Sequence, residues 1–273
     1  MTSRIAAGLE YDGGAFRGWQ SQACGGGVQD AVQNALAPLN GKRITVHAAG
    51  RTDAGTHAAM QIAHFDAAAT RPEKTWARAA NAVLPPQISV LWAHAAPPDF
   101  HARYSATRRH YQYAIFNAPV PSPLRRNWTA YCRAPLCAET MQNALSHLCG
   151  LHDFSAFRAS SCQAKTPVRT MHAARAKRQG EIILLEFCAD GFLQCMVRNI
   201  AGAVLEIGAN RRPPQWLGEL LEKKDRNNCP PPAPAAGLYF TGAEYPKKFN
   251  FIPPPVSPPS QINLSEINSL FCG

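Results

Sequence analysis

The sequence predicts an α+β protein made of two similar halves, each a sheet with helices packed on one face. Its 273 residues are enough to bury a core, and 46% hydrophobic with 17% charged residues is typical of a globular protein. Strand-like and helix-like segments alternate in a similar order in both halves. The alternation is not a regular βαβ ladder with a phosphate-binding glycine motif, which favours α+β over a parallel α/β sheet.

The first half, residues 1–100, is expected to contain four strands and two helices. Apolar residues at helical spacing predict one helix over VQDAVQNALAPL and another in KTWARAANAVL, which the pair Pro85-Pro86 stops. Apolar or alternating runs predict strands in RIAAGLEY, RITVHA, AMQIAHFD and QISVLWAHA. The loop AGRTDAGTH therefore joins two strands, a common place for functional residues on a rigid scaffold.

The second half, residues 101–246, begins at a shift of composition in PPDFHARYSATRRH. Strands are predicted in YQYAIF, EIILLEFCA and LYFTGAEY. Helices are predicted in AETMQNALSHLCG, ended by Gly150, and in LQCMVRNIAGAVLEIG. Residues 247–273 are rich in proline, so we expect them to form an extended, partly disordered tail.

The charge of the chain indicates a polyanionic partner. Lysine and arginine number 28 and aspartate and glutamate 18, a net charge of +10 with a pI of about 9.3, which favours nucleic acid. The nine cysteines form no C-x-x-C pair and the histidines no zinc-finger spacing, so we expect no metal and reduced thiols. No signal peptide or membrane-spanning stretch is apparent, so a cytoplasmic protein without membrane contact is expected.

Asp53 lies in the glycine-flanked loop GRTDAG, two residues after Arg51. An Asp-Ala-Gly tripeptide is most often a turn in which the aspartate caps its own backbone. A neighbouring guanidinium, however, favours the ionised form of a carboxylate. An ionised aspartate is the kind of nucleophile that glycosidases use at an anomeric carbon. The loop alone leaves both interpretations open.

Two further segments have a structural and a functional interpretation. Arg198 lies off the apolar stripe of the helix in LQCMVRNIAGAVLEIG, so it is either a solvated arginine or one that reaches a cleft. Tyr111 and Tyr113 alternate onto one face of a strand that follows Arg108 and Arg109. Basic residues next to aromatic ones suit RNA, on whose unpaired bases rings stack, but tyrosines packed in a core are an equal alternative.

Several blocks taken together resemble one family. "AAGRTDAGTHAAMQIAHF" is similar to the G-R-T-D-x-G-V-H-A signature of the tRNA pseudouridine synthase A family. "EYDGGAFRGWQSQ", "NAVLPPQISV", "FHARYSATRRHYQYAIFN", "LCGLHDFSAFR", "TPVRTM", "FLQCMVRNIAGAVLEIG" and "GLYF" agree in order and spacing. The resemblance covers roughly residues 3–246 and leaves the tail outside.

The resemblance implies conversion of uridine to pseudouridine at positions 38, 39 and 40 of the tRNA anticodon stem-loop, with no cofactor and no metal. It implies the pseudouridine synthase fold, a mixed, mostly antiparallel sheet built from two related ferredoxin-like α+β halves with the active cleft between them. It also implies a homodimer. The target base must leave its stack, which costs a few kcal/mol.

The same resemblance assigns roles residue by residue. Asp53 corresponds to the catalytic aspartate; attack on ribose C1′ and another route remain open. Arg51 corresponds to the motif arginine that helps hold the flipped nucleotide, Tyr111 to the tyrosine that packs against the target base, and Arg198 to the arginine that pairs with the aspartate. Possible tRNA phosphate contacts are Arg17, Arg108 and Arg109.

Three positions depart from the family pattern, and two other functions are compatible with parts of the sequence. Thr56 stands where valine is usual, and Gln194 and Cys195 where many members carry histidines; none of the three carries an assigned role. A non-catalytic tRNA-binding protein of the same fold is the alternative, but the catalytic aspartate is intact. A hydrolase that cuts a glycosidic bond commonly needs a second carboxylate to activate water, and the motif block supplies none nearby.

Overall fold

A computed structural model describes residues 3–68 and 71–256 of the chain. These residues form two compact units. The first comprises the described residues up to 109 together with 240–256, and the second comprises residues 110–239. The chain thus returns to its first unit after completing the second. No helix in the described part of the chain is long and apolar enough to cross a membrane.

In the first unit the strands are arranged in the order β4-β1-β3-β10, and a short strand, β2, also pairs with β3. β1 lies between β4 and β3 and is antiparallel to both. The strands are β1 (Ser3–Tyr11), β2 (His47–Ala48), β3 (His57–Ala67), β4 (Ile88–Ala96) and β10 (Leu238–Glu244), of which β10 begins in the second unit, and the helices are α1 (Val28–Asn40) and α2 (Glu73–Asn81).

Burial of apolar side chains fixes this arrangement. In α1, Val28, Val32 and Leu36 recur at helical spacing and are all buried, which is the face that packs on a core. The Trp76 ring of α2 packs edge-on against Phe65 of β3, with centroids 5.3 Å apart. β1 and β3 are buried along most of their length, so the segments before and after them start from a rigid support.

In the second unit the order is β5-β9-β8-β7, and β6 is parallel to β5. β9 and β7 are both antiparallel to β8. The strands are β5 (Arg108–Asn117, whose first two residues belong to the first unit), β6 (Ala130–Cys132), β7 (Gly150–Asp153), β8 (Val168–Gln179) and β9 (Ile182–Ala189), and the helices are α3 (Ala138–Ser146), α4 (Met196–Gly208) and α5 (Trp216–Lys223).

The predicted fold class, α+β with a mixed, mostly antiparallel sheet, is confirmed. The apolar stripe predicted for α4 is buried throughout. Several boundaries were wrong. Only His47–Ala48 of the run RITVHA is strand, and α3 ends at Ser146 rather than at Gly150. The helix in KTWARAANAVL ends at Asn81, and the helix in LQCMVRNIAGAVLEIG begins at Met196. Four elements were not predicted. β6 and β7 are only three and four residues long, β8 is exposed and strongly basic, and α5 is only eight residues long.

Part of the proline-rich segment packs on the first unit. Phe249 is buried, and its ring lies 5.1 Å from that of Phe100. The amide of Val256 donates to the Thr241 carbonyl of β10 at 2.9 Å. The rest of the predicted tail, residues 257–273, lies outside the described residues.

Candidate active site

The loop that carries Asp53 joins β2 to β3 and closes in a tight turn. The Thr56 amide donates to the Asp53 carbonyl at 3.1 Å, and Gly55 has φ +75°, a left-handed conformation that glycine adopts at little cost. Asp53 itself is half-buried. The turn that the tripeptide predicts is therefore present.

Two glycines of the segment after β1 lie directly against this loop. A Cβ on Gly18 would come within 2.6 Å of the Thr52 carbonyl oxygen, and Gly18 has φ +88°. A Cβ on Gly13 would come within 1.9 Å of the Thr56 carbonyl oxygen. Real Cβ atoms do not approach so closely, so only glycine allows the two backbones to pack at these points.

Hydrogen bonds fix the same loop from its other sides. The Trp19 amide donates to the Thr52 carbonyl at 3.0 Å, and the Tyr11 and Thr52 hydroxyls share a buried hydrogen bond of 2.8 Å. Gln61 Nε2 donates to the Gly50 carbonyl at 2.8 Å. Burial raises the pKa of the Tyr11 phenol to about 12, so it stays protonated and can donate. The loop is preorganised by the core of its own unit.

The arginines predicted near the site differ in their surroundings. Arg51 is exposed, and so is Arg17, whose Nη1 lies 2.8 Å from Cys24 Sγ. Arg108 lies 3.7 Å from a Glu244 carboxylate oxygen, with about half of its side chain exposed. These three side chains are accessible to an approaching polyanion.

Arg109 has a structural role. Its guanidinium donates to the carbonyls of Ala49 at 3.4 Å and Ala106 at 3.1 Å, and also to that of Arg103. Ala49 begins the loop that carries Asp53. Arg109 therefore connects that loop to the turn that contains Arg103.

In the second unit Tyr111 lies on β5 and is 8% exposed. Its ring packs edge-on against Phe192, with centroids 4.8 Å apart and planes at 73°. Edge-on packing restrains the orientation of the tyrosine ring. Tyr113, two residues further, is fully buried and belongs to the core, as the structural interpretation of this strand predicted.

Arg198 is half-buried on α4 and forms two hydrogen bonds with Ala233, which lies in a proline-rich segment. Arg198 Nε donates to the Ala233 carbonyl at 2.8 Å, and the Ala233 amide donates to the Arg198 carbonyl at 2.9 Å. A Cβ on Gly202 would lie 2.4 Å from the Pro231 carbonyl oxygen, so glycine lets this segment approach the helix. Among the described residues the terminal nitrogens of Arg198 form no hydrogen bond, and they remain available to an anion.

Pro234, the next residue of the same segment, accepts a hydrogen bond: the Tyr113 hydroxyl donates to its carbonyl at 2.7 Å. Burial raises the pKa of this phenol, and the positive charge of Arg198 opposes the rise. Residues 231–234, called here the 231–234 segment, thus fix both the core tyrosine and the arginine. No sequence motif pointed to this segment.

The three departures have local explanations of different kinds. Thr56 is buried, and among the described residues its Oγ1 has no hydrogen-bond partner, so the position is built for an apolar side chain. The Gln194 side chain accepts from Ser161 Oγ at 3.2 Å. Cys195 precedes α4 with φ +60°. His110 Nε2 and Cys188 Sγ lie 3.6 Å apart.

Comparison with known proteins gives a consistent result. A family model described as tRNA pseudouridine synthase matches residues 7–105 and 144–246. The chain is 49% identical over 246 residues to tRNA pseudouridine synthase A of Thiobacillus denitrificans, which covers 90% of this chain and 95% of that protein. It is 47% identical to the protein of that name from Methylobacillus flagellatus, over 89% and 93% of the two chains, and 45% identical to that of Methylococcus capsulatus, over 90% and 91%.

The matched segments include most of the site. Asp53, Arg51, Arg17 and Arg198 lie within them, as do Gly13, Gly18 and the 231–234 segment, whereas Tyr111, Arg108 and Arg109 lie in the interval between the two segments.

Proposed function

The chain belongs to the tRNA pseudouridine synthase family, and from this premise we propose that it isomerises uridine to pseudouridine at positions 38, 39 and 40 of the tRNA anticodon stem-loop. The enzyme is an isomerase: the bond between ribose C1′ and uracil N1 breaks, and a bond between C1′ and C5 forms. The proton on C5 is released, and N1 ends protonated, so atoms and electrons balance without a co-reactant. This chemistry needs no cofactor.

The observation that carries the proposal is the way Asp53 is held. Its loop is packed against two glycines that cannot accept a Cβ and is bonded through Thr52 to Trp19 and Tyr11. A reactive group must be fixed near its target to convert binding energy into rate, because a misplacement of about 1 Å can cost roughly 100-fold. Asp53 is the one carboxylate of the GRTDAG motif, and we assign it the catalytic role.

The other assigned residues act on the flipped nucleotide and on the carboxylate. Arg51, exposed two residues before Asp53, helps to hold the nucleotide that has left its stack. The restrained ring of Tyr111 packs against the target base. Arg198, whose Nε is taken by Ala233, keeps its terminal nitrogens for the catalytic carboxylate. An arginine presents these donors in a fixed fork that matches the two oxygens of a carboxylate.

Electrostatic attraction brings the tRNA to the protein. The net charge of +10 favours a polyanion, and the exposed Arg17 and Arg108 are proposed phosphate contacts. Arg109 is a third proposed phosphate contact, and its guanidinium also donates to the carbonyls of Ala49 and Ala106. The proposal includes a homodimer in the cytoplasm. Light scattering tests the dimer, since a dimer has twice the 29.7 kDa mass of the chain.

The positions modified can be tested directly. Unmodified tRNA transcripts in which only one of positions 38, 39 and 40 is uridine are incubated with the protein, and pseudouridine is mapped by chemical modification and primer extension. We expect product at each of the three positions and none at uridines in the acceptor stem of the same transcripts. Product only outside the anticodon stem-loop would refute the assignment of positions. Free uracil in place of pseudouridine would identify a hydrolase.

A further inference from the structure

The turn at residues 101–105 presents an exposed aromatic ring on a rigid support. The Tyr104 side chain is 77% exposed, and its ring lies on that of His101, with centroids 4.3 Å apart and planes at 33°. The His101 ring packs in turn against buried His64 at 4.4 Å, and His64 stacks on His47 at 5.0 Å. A single exposed tyrosine is common on protein surfaces. The Tyr104 ring, however, lies at the end of a row of packed rings, and these contacts hold it as a rigid flat surface.

Hydrogen bonds hold the backbone of this turn in place. His101 Nδ1 accepts from the amides of Arg103 and Tyr104 at 3.1 and 3.2 Å. The Ser105 amide donates to the His101 carbonyl at 2.9 Å, and the Tyr245 hydroxyl donates to the Ala102 carbonyl at 2.7 Å. A partner that stacks on Tyr104 therefore pays little for ordering the turn.

The charge around the ring is positive. The Arg103 guanidinium lies over the Tyr104 ring, 5.8 Å from its centroid, and is exposed, and no carboxylate in the described part of the chain pairs with it. The acidic groups nearby are already paired: Asp66 with Arg4 at 2.8 Å and Asp99 with Lys248 at 2.6 Å. Burial and the neighbouring cations lower the pKa of His101, so the ring under Tyr104 is neutral at pH 7.

The turn is also connected to the loop that carries Asp53. The Arg109 guanidinium donates to the carbonyl of Arg103 and to that of Ala49, at the start of the Asp53 loop. One side chain of the first unit therefore joins the Tyr104 turn to the loop that carries Asp53.

We propose that His101, Arg103 and Tyr104, called here the Tyr104 platform, bind a second nucleotide of the RNA substrate, an unpaired base stacked on the Tyr104 ring with its phosphate near Arg103. The inference rests on the proposed function, because an RNA with unpaired bases is the substrate. An exposed ring beside an unpaired cation is the combination that single-stranded RNA binds. The platform distinguishes a stem-loop from a continuous duplex, whose bases offer no free face.

The test compares Tyr104→Ala with Tyr104→Phe, which keeps the ring, and with Tyr131→Ala, which removes a 39% exposed tyrosine of the second unit. Dissociation constants are measured at fixed salt for an anticodon stem-loop and for a blunt RNA duplex of equal length. Stacking is worth about 1–3 kcal/mol per base, and 1.4 kcal/mol is tenfold, so Tyr104→Ala should bind the stem-loop roughly 5- to 140-fold more weakly. Duplex binding and the salt dependence should not change, and both control variants should bind like the wild type.

Equal stem-loop affinity of Tyr104→Ala and the wild type would overturn the platform, as would equal weakening toward the duplex. Because Tyr104 is exposed, we expect the thermal midpoint of the variant to match the wild type, which separates this result from misfolding. Pseudouridine formation by the wild type is measured in the same reactions. Wild-type turnover without any effect of Tyr104→Ala refutes the platform alone, whereas binding without turnover refutes the proposed function alone.

Discussion

Replacing Gly18 by alanine should displace the loop that carries Asp53. The new Cβ would lie 2.6 Å from the Thr52 carbonyl oxygen, about 0.8 Å short of ordinary van der Waals contact, which begins at 3.4 Å. Gly18 also has φ +88°, which costs an alanine about 1–2 kcal/mol. Crowding in a packed region costs about 1–3 kcal/mol more. We therefore expect a loss of roughly 2–5 kcal/mol in the free energy of unfolding.

Gly25→Ala is the matched control. Gly25 lies in the same connection between β1 and α1 and has φ +68°, but no atom lies within 4 Å of its Cβ position. It should cost only the backbone strain of about 1–2 kcal/mol. Gly13→Ala tests crowding without backbone strain. The φ of Gly13 is not positive, and its Cβ would lie 1.9 Å from the Thr56 carbonyl oxygen.

The assay pairs calorimetry with single-turnover kinetics at saturating tRNA and at a temperature where every variant is folded. At about 2 °C per kcal/mol, the melting temperature should fall by roughly 4–10 °C in Gly18→Ala and 2–4 °C in Gly25→Ala. A shift of the loop approaching 1 Å should slow the chemical step roughly 100-fold in Gly18→Ala and Gly13→Ala, and not in Gly25→Ala. Chemical steps that are equally fast in Gly18→Ala and Gly25→Ala would refute the reasoning.

Three further outcomes follow from single residues. Thr56→Val should stabilise the protein by about 1 kcal/mol, because it removes a buried hydroxyl that has no partner among the described residues; an unchanged or lower melting temperature would contradict this. Burial and the cations around it lower the pKa of His64 to about 3, below its ordinary 6.5. The unfolded chain therefore binds more protons, and stability relative to His64→Gln should fall by about 1.4 kcal/mol per pH unit from about pH 6 to 4; a pH-independent difference in urea unfolding would refute it. Arg108→Ala should lower the slope of log K against log salt for tRNA by about 1, whereas an unchanged slope would exclude a phosphate contact.

The sequence predicted most of the fold because burial follows simple periods. β1, β3 and α4 are buried along the faces that their apolar spacing indicates. Prediction failed where tertiary context decides. RITVHA has the composition of a strand, yet only His47 and Ala48 find a partner, on β3. β8 is paired on both sides although its exposed residues give it little apolar pattern.

The candidate site was predictable as residue types and not as a supported structure. Asp53 and Arg198 were identified by motif resemblance. The sequence around these residues does not predict that Gly18 packs against the Asp53 loop or that the 231–234 segment binds Arg198. Those contacts join backbone atoms far apart in sequence, and a backbone carbonyl such as that of Ala233 carries no residue signature. The glycines at positions 13 and 18 are the sequence feature that could have indicated this close packing. A single sequence, however, does not distinguish them from ordinary turn glycines.

The central claim is that the Asp53 carboxylate carries the isomerisation, and release of tritium from uridine C5 in tRNA tests it most directly. The wild type should release the label while the base stays attached to the RNA. Asp53→Asn, which keeps the size of the side chain and removes its charge, should release none while its affinity for tRNA and its melting temperature stay close to those of the wild type. Normal tritium release by Asp53→Asn would contradict the assignment of Asp53 and, with it, the mechanism proposed for this protein.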